Sequence, residues 1–333
     1  MLYIISGFSL FVLVISIVYM SGPKVVIQNM NTQLPEVTEN LTALEKRVKE
    51  NEAQLKNEIK PGNESVIVWA DKVPAKTPYS IVYLHGWSAS REEGAPIHTE
   101  TAKRFHCNLY LPRLASHGLK DMDGMRDLTA ESLLTSAKEA LAIAAKIGEK
   151  VIVMATSTGA SVALYLASEN TCISGIVMYS PNVKIYTTAA KFLSGPWGLQ
   201  VAKLISGNYF EFEADAIRKK YWTNRYNIEA LPQLQALLDH TMNTSTFAKV
   251  KQPVFMGYYY KNKEEQDKVV SVPAMEKMYN QLGTPEELKH KKAFPEAGHH
   301  VIASHIISKD LVSVKKETFY FLENKMGLSP VKS

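Results

Sequence analysis

The apolar run Val151-Ile152-Val153-Met154 leads directly into Ala155-Thr156-Ser157-Thr158-Gly159, and that string leads directly into Ala160-Ser161-Val162-Ala163-Leu164-Tyr165-Leu166-Ala167. A strand, a turn of small residues centred on a serine, and a helix is the arrangement that lifts a nucleophilic hydroxyl above a sheet edge, and the spacing is that of the G-x-S-x-G elbow. Positions two before and two after the serine meet the neighbouring strand and helix at close range. Gly159 meets that demand, and Ala155 is the smallest departure from glycine.

At 333 residues the chain can hold one large α/β domain with an appendage, or two modest domains. Leu2 to Met20 is an apolar stretch with no charged side chain before Lys24, and at about 1.5 Å per residue it is just long enough to cross hydrocarbon. No basic residue precedes it, and its exit, Tyr19-Met20-Ser21-Gly22-Pro23, lacks a cleavage-site pattern, so an uncleaved single-pass anchor is expected over residues 1–23. Lys24 alone does not fix which side of the membrane carries the rest. Cys107 and Cys172 are too few for a disulfide framework and sit in apolar, strand-like surroundings. The net charge of +5 is spread along the chain, which disfavours a nucleic-acid partner.

Residues 24–62 read as a polar linker followed by an amphipathic helix, in which Val37, Leu41, Leu44, Val48 and Leu55 recur at spacings of three and four until Pro61-Gly62 ends the segment. Such a helix is expected to pack on the following domain or bridge it to the membrane. From there to about residue 330, strand-sized apolar runs alternate with helix-sized segments, the pattern of an α/β fold with a mostly parallel central sheet flanked by helices. Strands are expected at Ser65–Ala70, Ser80–Leu84, Cys107–Leu111, Val151–Met154, Gly175–Tyr179, Val254–Tyr258 and Lys291–Phe294, with Thr129 capping a helix that reaches Gly148. Ligands of such sheets bind at the carboxyl ends of strands.

The candidate site residues fall at those ends. His85-Gly86-Trp87-Ser88 follows the strand ending at Leu84, where a turn can aim a main-chain N–H at a developing oxyanion. The expected donors are the amides of Trp87 and Thr158, with His85, Gly86 and Gly159 in support. A serine needs an imidazole to take its proton, and Gly298-His299-His300-Val301-Ile302 supplies two after the last strand. His300 is the expected base because Val301-Ile302 pins it by packing; His299 is the alternative. The turn after Tyr258-Tyr259-Tyr260 holds Glu264, Glu265 and Asp267, and Asp267, just before Val269-Val270, is the expected acid. The chain order is then Ser157, Asp267, His300.

From about Ser65 to Leu328 these motifs, in this order, resemble the α/β-hydrolase superfamily, and Leu111-Pro112-Arg113-Leu114-Ala115-Ser116-His117-Gly118 is similar to the Arg-Leu-x-x-His-Gly loop of its esterase and monoacylglycerol-lipase-like members. Ala155 and the histidine doublet depart from the usual pattern. The resemblance implies a serine hydrolase acting on carboxylic esters through an acyl-enzyme. No cofactor is needed, and the histidines and cysteines lack paired metal-ligand spacing.

A segment far longer than a connecting helix, about residues 183–248, reads as a helical lid. Between Val183 and Tyr226 lie Tyr186, Phe192, Trp197, Tyr209, Phe210, Phe212, Tyr221, Trp222 and Tyr226, nearly a third of the chain's aromatic residues. That enrichment favours an apolar pocket and a lipophilic ester substrate, with an acyl chain or a small aromatic group, over a charged or sugar substrate. Two alternatives stay open: an acyltransferase using the same serine, and a non-catalytic binding protein on the same scaffold.

Overall fold

In the computed structural model, which describes residues 13–120 and 123–331, strand β4 (Gly148–Thr156) shows how one apolar run serves two cores. Val151, Val153 and Ala155 enter the apolar cluster on one face of the sheet, while Ile152 and Met154 enter the cluster on the other. A strand reads as an uninterrupted apolar string when both faces are covered, as central strands of parallel sheets are.

Its neighbours are β1 (Val66–Val68), β2 (Thr77–Leu84), β3 (Asn108–Leu111), β5 (Ile173–Tyr179), β8 (Val254–Tyr258) and β9 (Lys289–Ala293), in the order β1-β3-β2-β4-β5-β8-β9. All pairings are parallel except β1 with β3. Each expected strand is present, with ends displaced by a few residues.

Helix α2 (Ile97–Arg104), between β2 and β3, packs on one face, where Ile97 and Ala102 join Ile81 and Tyr83. Helices α3 (Ala130–Ile147) and α4 (Thr158–Ala167), which flank β4 in sequence, pack on the opposite face. The chain moves outward from β2 to β3 and returns across β2 to β4. The loops leaving β2 and β4 therefore diverge at their carboxyl ends and open a crevice, the position where sheets of this type place their ligands. Thr129 caps α3 through its side chain, with Ser132 reciprocating, and the last helix, α9 (Leu311–Asn324), closes the α2 face through Val314, Phe321 and Leu322.

Helix α1 (Leu41–Gln54) packs on the domain, burying Leu44 and Val48 in the α3/α4-side core. Ahead of it, Met30 is buried in the same core; its carbonyl accepts from Tyr165 Oη at 2.7 Å, and the Gln28 N–H donates to Glu131. The segment read as a linker is thus laid along the domain surface.

The expected membrane anchor is corrected. Among the described residues no helix is long and apolar enough to cross a membrane. The described part of the apolar run is helical over residues 13–20 only and ends at Ser21-Gly22. There the Trp197 indole N–H donates to the Val18 carbonyl at 3.0 Å, and the Trp197 amide donates to Pro23. These bonds tie the segment to the insertion between β5 and β8. Residues 1–12 of the expected anchor lie outside the described residues.

That insertion contains α5 (Gly198–Ser206), a hairpin of β6 (Tyr209–Glu211) and β7 (Arg225–Asn227) enclosing α6 (Ala216–Tyr221), then α7 (Ala230–Thr241) and α8 (Thr244–Lys249). Of its aromatic rings Trp222 and Tyr226 are buried, whereas Tyr186, Phe192, Trp197 and Phe210 are exposed. A cleft of about 650 Å³ beside the hairpin is bordered by Glu211, Phe212, Asp215, Arg218, Lys219 and Asn224 and is mostly charged. The aromatic enrichment is therefore divided between packing and outward-facing surface.

Candidate active site

Ser157 sits between β4 and α4 with φ 53° and ψ −120°, a conformation that costs a non-glycine residue energy and persists only where the surroundings impose it. Two main-chain bonds impose it: the Ser157 N–H donates to Tyr179 at the end of β5, and its carbonyl accepts from Asn182. Gly159 explains the small residue on the helix side. A Cβ there would lie 2.1 Å from the Leu84 carbonyl oxygen and 2.6 Å from that of His85, both main-chain atoms that have nowhere to go. Ala155, two before the serine, is fully buried in the sheet core.

The turn after β2 abuts this elbow. A Cβ on Gly86 would lie 3.1 Å from Ser157 Cβ, so the turn and the serine meet across a gap that only a glycine leaves open. Neither the Trp87 nor the Thr158 main-chain N–H has a hydrogen-bond partner among the described residues, and Thr158 begins α4, where unpaired N–H groups and the helix dipole favour negative charge. His85 faces inward: its Nε2 accepts from the Leu114 amide at 3.1 Å, and its ring lies 4.9 Å from that of His117. Burial holds His85 well below the usual imidazole range, and it pushes His117 down to about 4. The Arg113-Leu114-Ala115-Ser116-His117-Gly118 loop thus braces the turn, and Arg113 in turn holds Glu52 of α1 through Nε at 3.0 Å.

His300 Nδ1 and Asp267 Oδ2 are 2.6 Å apart, with both side chains buried. The second Asp267 oxygen accepts from the amides of Val269 at 2.9 Å and Val270 at 3.1 Å, so the Val-Val pair positions the carboxylate through its main chain. Burial opposes charge on both groups. The His300 ring and these amides nevertheless hold Asp267 below the usual carboxylate range, and the Asp267 charge lifts His300 above the usual imidazole range. Glu264 and Glu265 lie in the exposed turn, where Asn262 and Lys261 engage Glu265.

His299 is occupied otherwise. Its Nδ1 accepts from the Val301 amide at 3.0 Å, and burial pushes it down to about 4. The His300 loop is fastened on both sides: the Ser180 hydroxyl donates to the His300 carbonyl at 2.7 Å, Ile302 is buried in the α2-side core, and Val301 packs with Ala89 and Trp222. Trp222 comes from the insertion, as does Thr223, whose amide donates to Ser88 at 2.7 Å. The turn after β2, the His300 loop and the insertion thereby share one small apolar cluster. The Ser157 hydroxyl itself has no hydrogen-bond partner among the described residues, and the structure places no bond between it and His300; such contacts often tighten only when substrate is bound.

One residue at this site was not singled out in the sequence. Glu93, in the short 3-10 turn Arg91–Gly94, is 2% exposed, and its Oε2 accepts from the Gly86 amide at 2.5 Å. Nothing in Arg91-Glu92-Glu93-Gly94 distinguishes it from its neighbour Glu92, because local pattern does not report which of two adjacent acids turns inward.

The chain belongs to the alpha/beta hydrolase family, whose family model matches residues 81–306. Among solved structures it is similar to one of the metagenome-derived lipolytic enzymes LipS and LipT, with a TM-score of 0.65 and 15% identity over 80% of this chain and 99% of that one. It is also similar to a monoacylglycerol lipase of Paleococcus ferrophilus, with a TM-score of 0.57 and 13% identity over 78% and 97% of the two chains. A soluble variant of the monoglyceride lipase of Saccharomyces cerevisiae, in complex with a substrate analog, gives a TM-score of 0.56 and 13% identity over 79% and 91%. At these identities the likeness shows the fold alone. No curated protein matches the chain in sequence.

Proposed function

We propose that the chain is a carboxylic ester hydrolase in which Ser157 is the nucleophile, His300 the general base and acid, and Asp267 the carboxylate that orients the imidazole. The observation that carries the reading is the buried His300–Asp267 contact of 2.6 Å at the strand ends that also hold the strained Ser157 turn. Asp267 accepts a hydrogen bond from His300 Nδ1–H, which keeps the proton on Nδ1 and leaves Nε2 with its lone pair for the serine hydroxyl. His300 takes that proton as Ser157 Oγ bonds to the ester carbonyl carbon, and returns it to the alkoxide as the bond to the alcohol breaks. The tetrahedral oxygen is received by the Trp87 and Thr158 amides. Water, deprotonated by the same imidazole, then cleaves the acyl-serine and restores the enzyme.

A lipophilic, modestly sized acyl group suits the surroundings. Trp87 meets Tyr226 edge-on at 6.4 Å, and Phe210 lies 5.4 Å from Tyr226, so apolar rings border the oxyanion turn. The lipase and esterase neighbours are in keeping with such a substrate. The test is covalent labelling with a fluorophosphonate, alongside hydrolysis of a p-nitrophenyl ester. Wild-type chain labels and turns over, whereas Ser157→Ala does neither at an unchanged melting temperature. A Ser157→Ala variant that still labels removes Ser157 as the nucleophile.

A further inference from the structure

Between the Gly86 turn and Ser157 lies a second carboxyl group that the Ser-His-Asp chemistry does not use. A Cβ on Gly86 would lie 2.9 Å from Glu93 Oε1 and 3.1 Å from Ser157 Cβ, so the carboxyl and the serine face each other across the space of a single methyl group. Glu93 Oε2 accepts from the Gly86 amide at 2.5 Å and from the Tyr83 hydroxyl at 3.2 Å, and Tyr83 Oη is 2.8 Å from Thr156 Oγ1. One buried network therefore joins the residue before the nucleophile to the residue before the Trp87 oxyanion amide. A main-chain N–H aimed at a transition state acts only if its peptide is held, and the bond to Glu93 holds the peptide next to it.

We propose that Glu93 is a positioning residue of the ester-cleaving site: its carboxylate fixes the oxyanion turn through the Gly86 N–H and adds a second negative charge to the field in which His300 becomes imidazolium. This rests on the assignment of Ser157 and His300 above. The titratable and charged groups facing Glu93 are Tyr83 from β2, Arg218 from α6 and His300 from the loop after β9, while His300 faces Asp267, Glu93, His299 and Arg218. Burial raises the Glu93 carboxyl to about 7 against the Gly86 amide and the His300 charge, which favour the ionised form. Glu93 and His300 each favour the charged form of the other.

Two substitutions separate the two parts of the role. Glu93→Gln keeps an acceptor for Gly86 and Tyr83 but removes the charge; the acid limb of kcat/KM for a p-nitrophenyl ester should then move to lower pH by about half a unit or more, with kcat on the plateau within a few-fold of wild type. Glu93→Ala removes both; kcat should fall about 10²-fold with little change in KM, the size of effect seen when an oxyanion donor is lost. An acid limb of Glu93→Gln that overlays the wild type, or a Glu93→Ala kcat within threefold of it, overturns the proposal. Should Glu93→Ala fail to fold, the Glu93→Gln pH profile decides alone. Fluorophosphonate labelling of both variants is expected to persist, and labelling of Ser157→Ala would instead overturn the nucleophile assignment on which the proposal stands.

Discussion

Replacing Asp267 with asparagine changes one atom of the site and, through geometry already fixed by the main chain, inverts the chemistry of the imidazole. The Val269 and Val270 amides both point at Asp267 Oδ1, at 2.9 and 3.1 Å. An asparagine that turned its amino group toward them would set donors against two donors in a buried place, which costs more than a lost hydrogen bond. Asparagine therefore keeps its carbonyl there and presents its amino group to His300 Nδ1. That nitrogen must then accept, the ring proton moves to Nε2, and the atom that deprotonates Ser157 in the proposed mechanism carries a hydrogen instead of a lone pair. In serine hydrolases that work this way the wrong tautomer costs about 10⁴ in kcat, equivalent to about 5.4 kcal/mol at about 1.36 kcal/mol per decade. The assay is steady-state hydrolysis of a p-nitrophenyl ester above the pH at which His300 titrates, with thermal melting to show that the buried site survives. His299→Gln serves as the control and should retain most of the activity, since His299 contacts the Val301 amide and not Asp267. A folded Asp267→Asn within tenfold of wild type refutes the tautomer argument.

Gly159→Ala forces a methyl group to within 2.1 Å of the Leu84 carbonyl oxygen, so α4 must move off β2; a loss of about 1–3 kcal/mol is expected, read as a fall in melting temperature together with reduced kcat, and an unchanged melt would show that the elbow is not tightly packed. Stability should fall on acidification below about pH 6.5. Burial holds His98, His117 and His299 near pKa 4 and His85 well below its ordinary value, so between pH 6.5 and 4 the unfolded chain binds more protons than the folded one and stability rises with pH. Glu93 opposes this between pH 4.5 and about 7, since its raised pKa makes the folded state bind the extra proton, but it is one group against several. Melting temperatures taken across that range should drop toward acid, and a flat profile would mean that these rings are hydrated in solution.

What could be read from the sequence, and what could not, divides along a physical line. Ser157, Gly86 and Thr129 were legible because each is a local demand: a serine between a strand and a helix, a glycine where backbones touch, a threonine before a helical run. The sheet was legible because apolar runs with covered faces are hard to mistake, and only their ends moved. The placement of residues 24–62 was half legible, since periodicity gave the helix but not the burial of Met30 or the bond from Arg113 to Glu52, which join parts of the chain far apart in sequence. The anchor expectation failed for a related reason: a count of apolar residues in Leu2–Met20 does not report that the end of the described helix is held by the Trp197 indole, far away in sequence.

The acidic turn beside His300 shows the same division at finer scale. Asp267, Glu264 and Glu265 share one turn, and composition gives them equal standing. Only Asp267 is followed by two residues whose amides fold back onto its own carboxylate, and that local closure orients its free oxygen toward His300. Glu93 offered no comparable sign, because its partners, Gly86 and Tyr83, lie seven and ten residues back, on the turn after β2 and on β2 itself, and only the folded path of the chain decides which of Glu92 and Glu93 meets them. A carboxylate that closes on its own backbone announces itself in sequence, whereas one that closes on another element does so only in the fold. It follows that a buried acid of the second kind is best tested by the isosteric amide. Glu93→Gln keeps an acceptor for the Gly86 amide and the Tyr83 hydroxyl while it removes the charge, and a shift of the acid limb at an unchanged melting temperature then belongs to the charge.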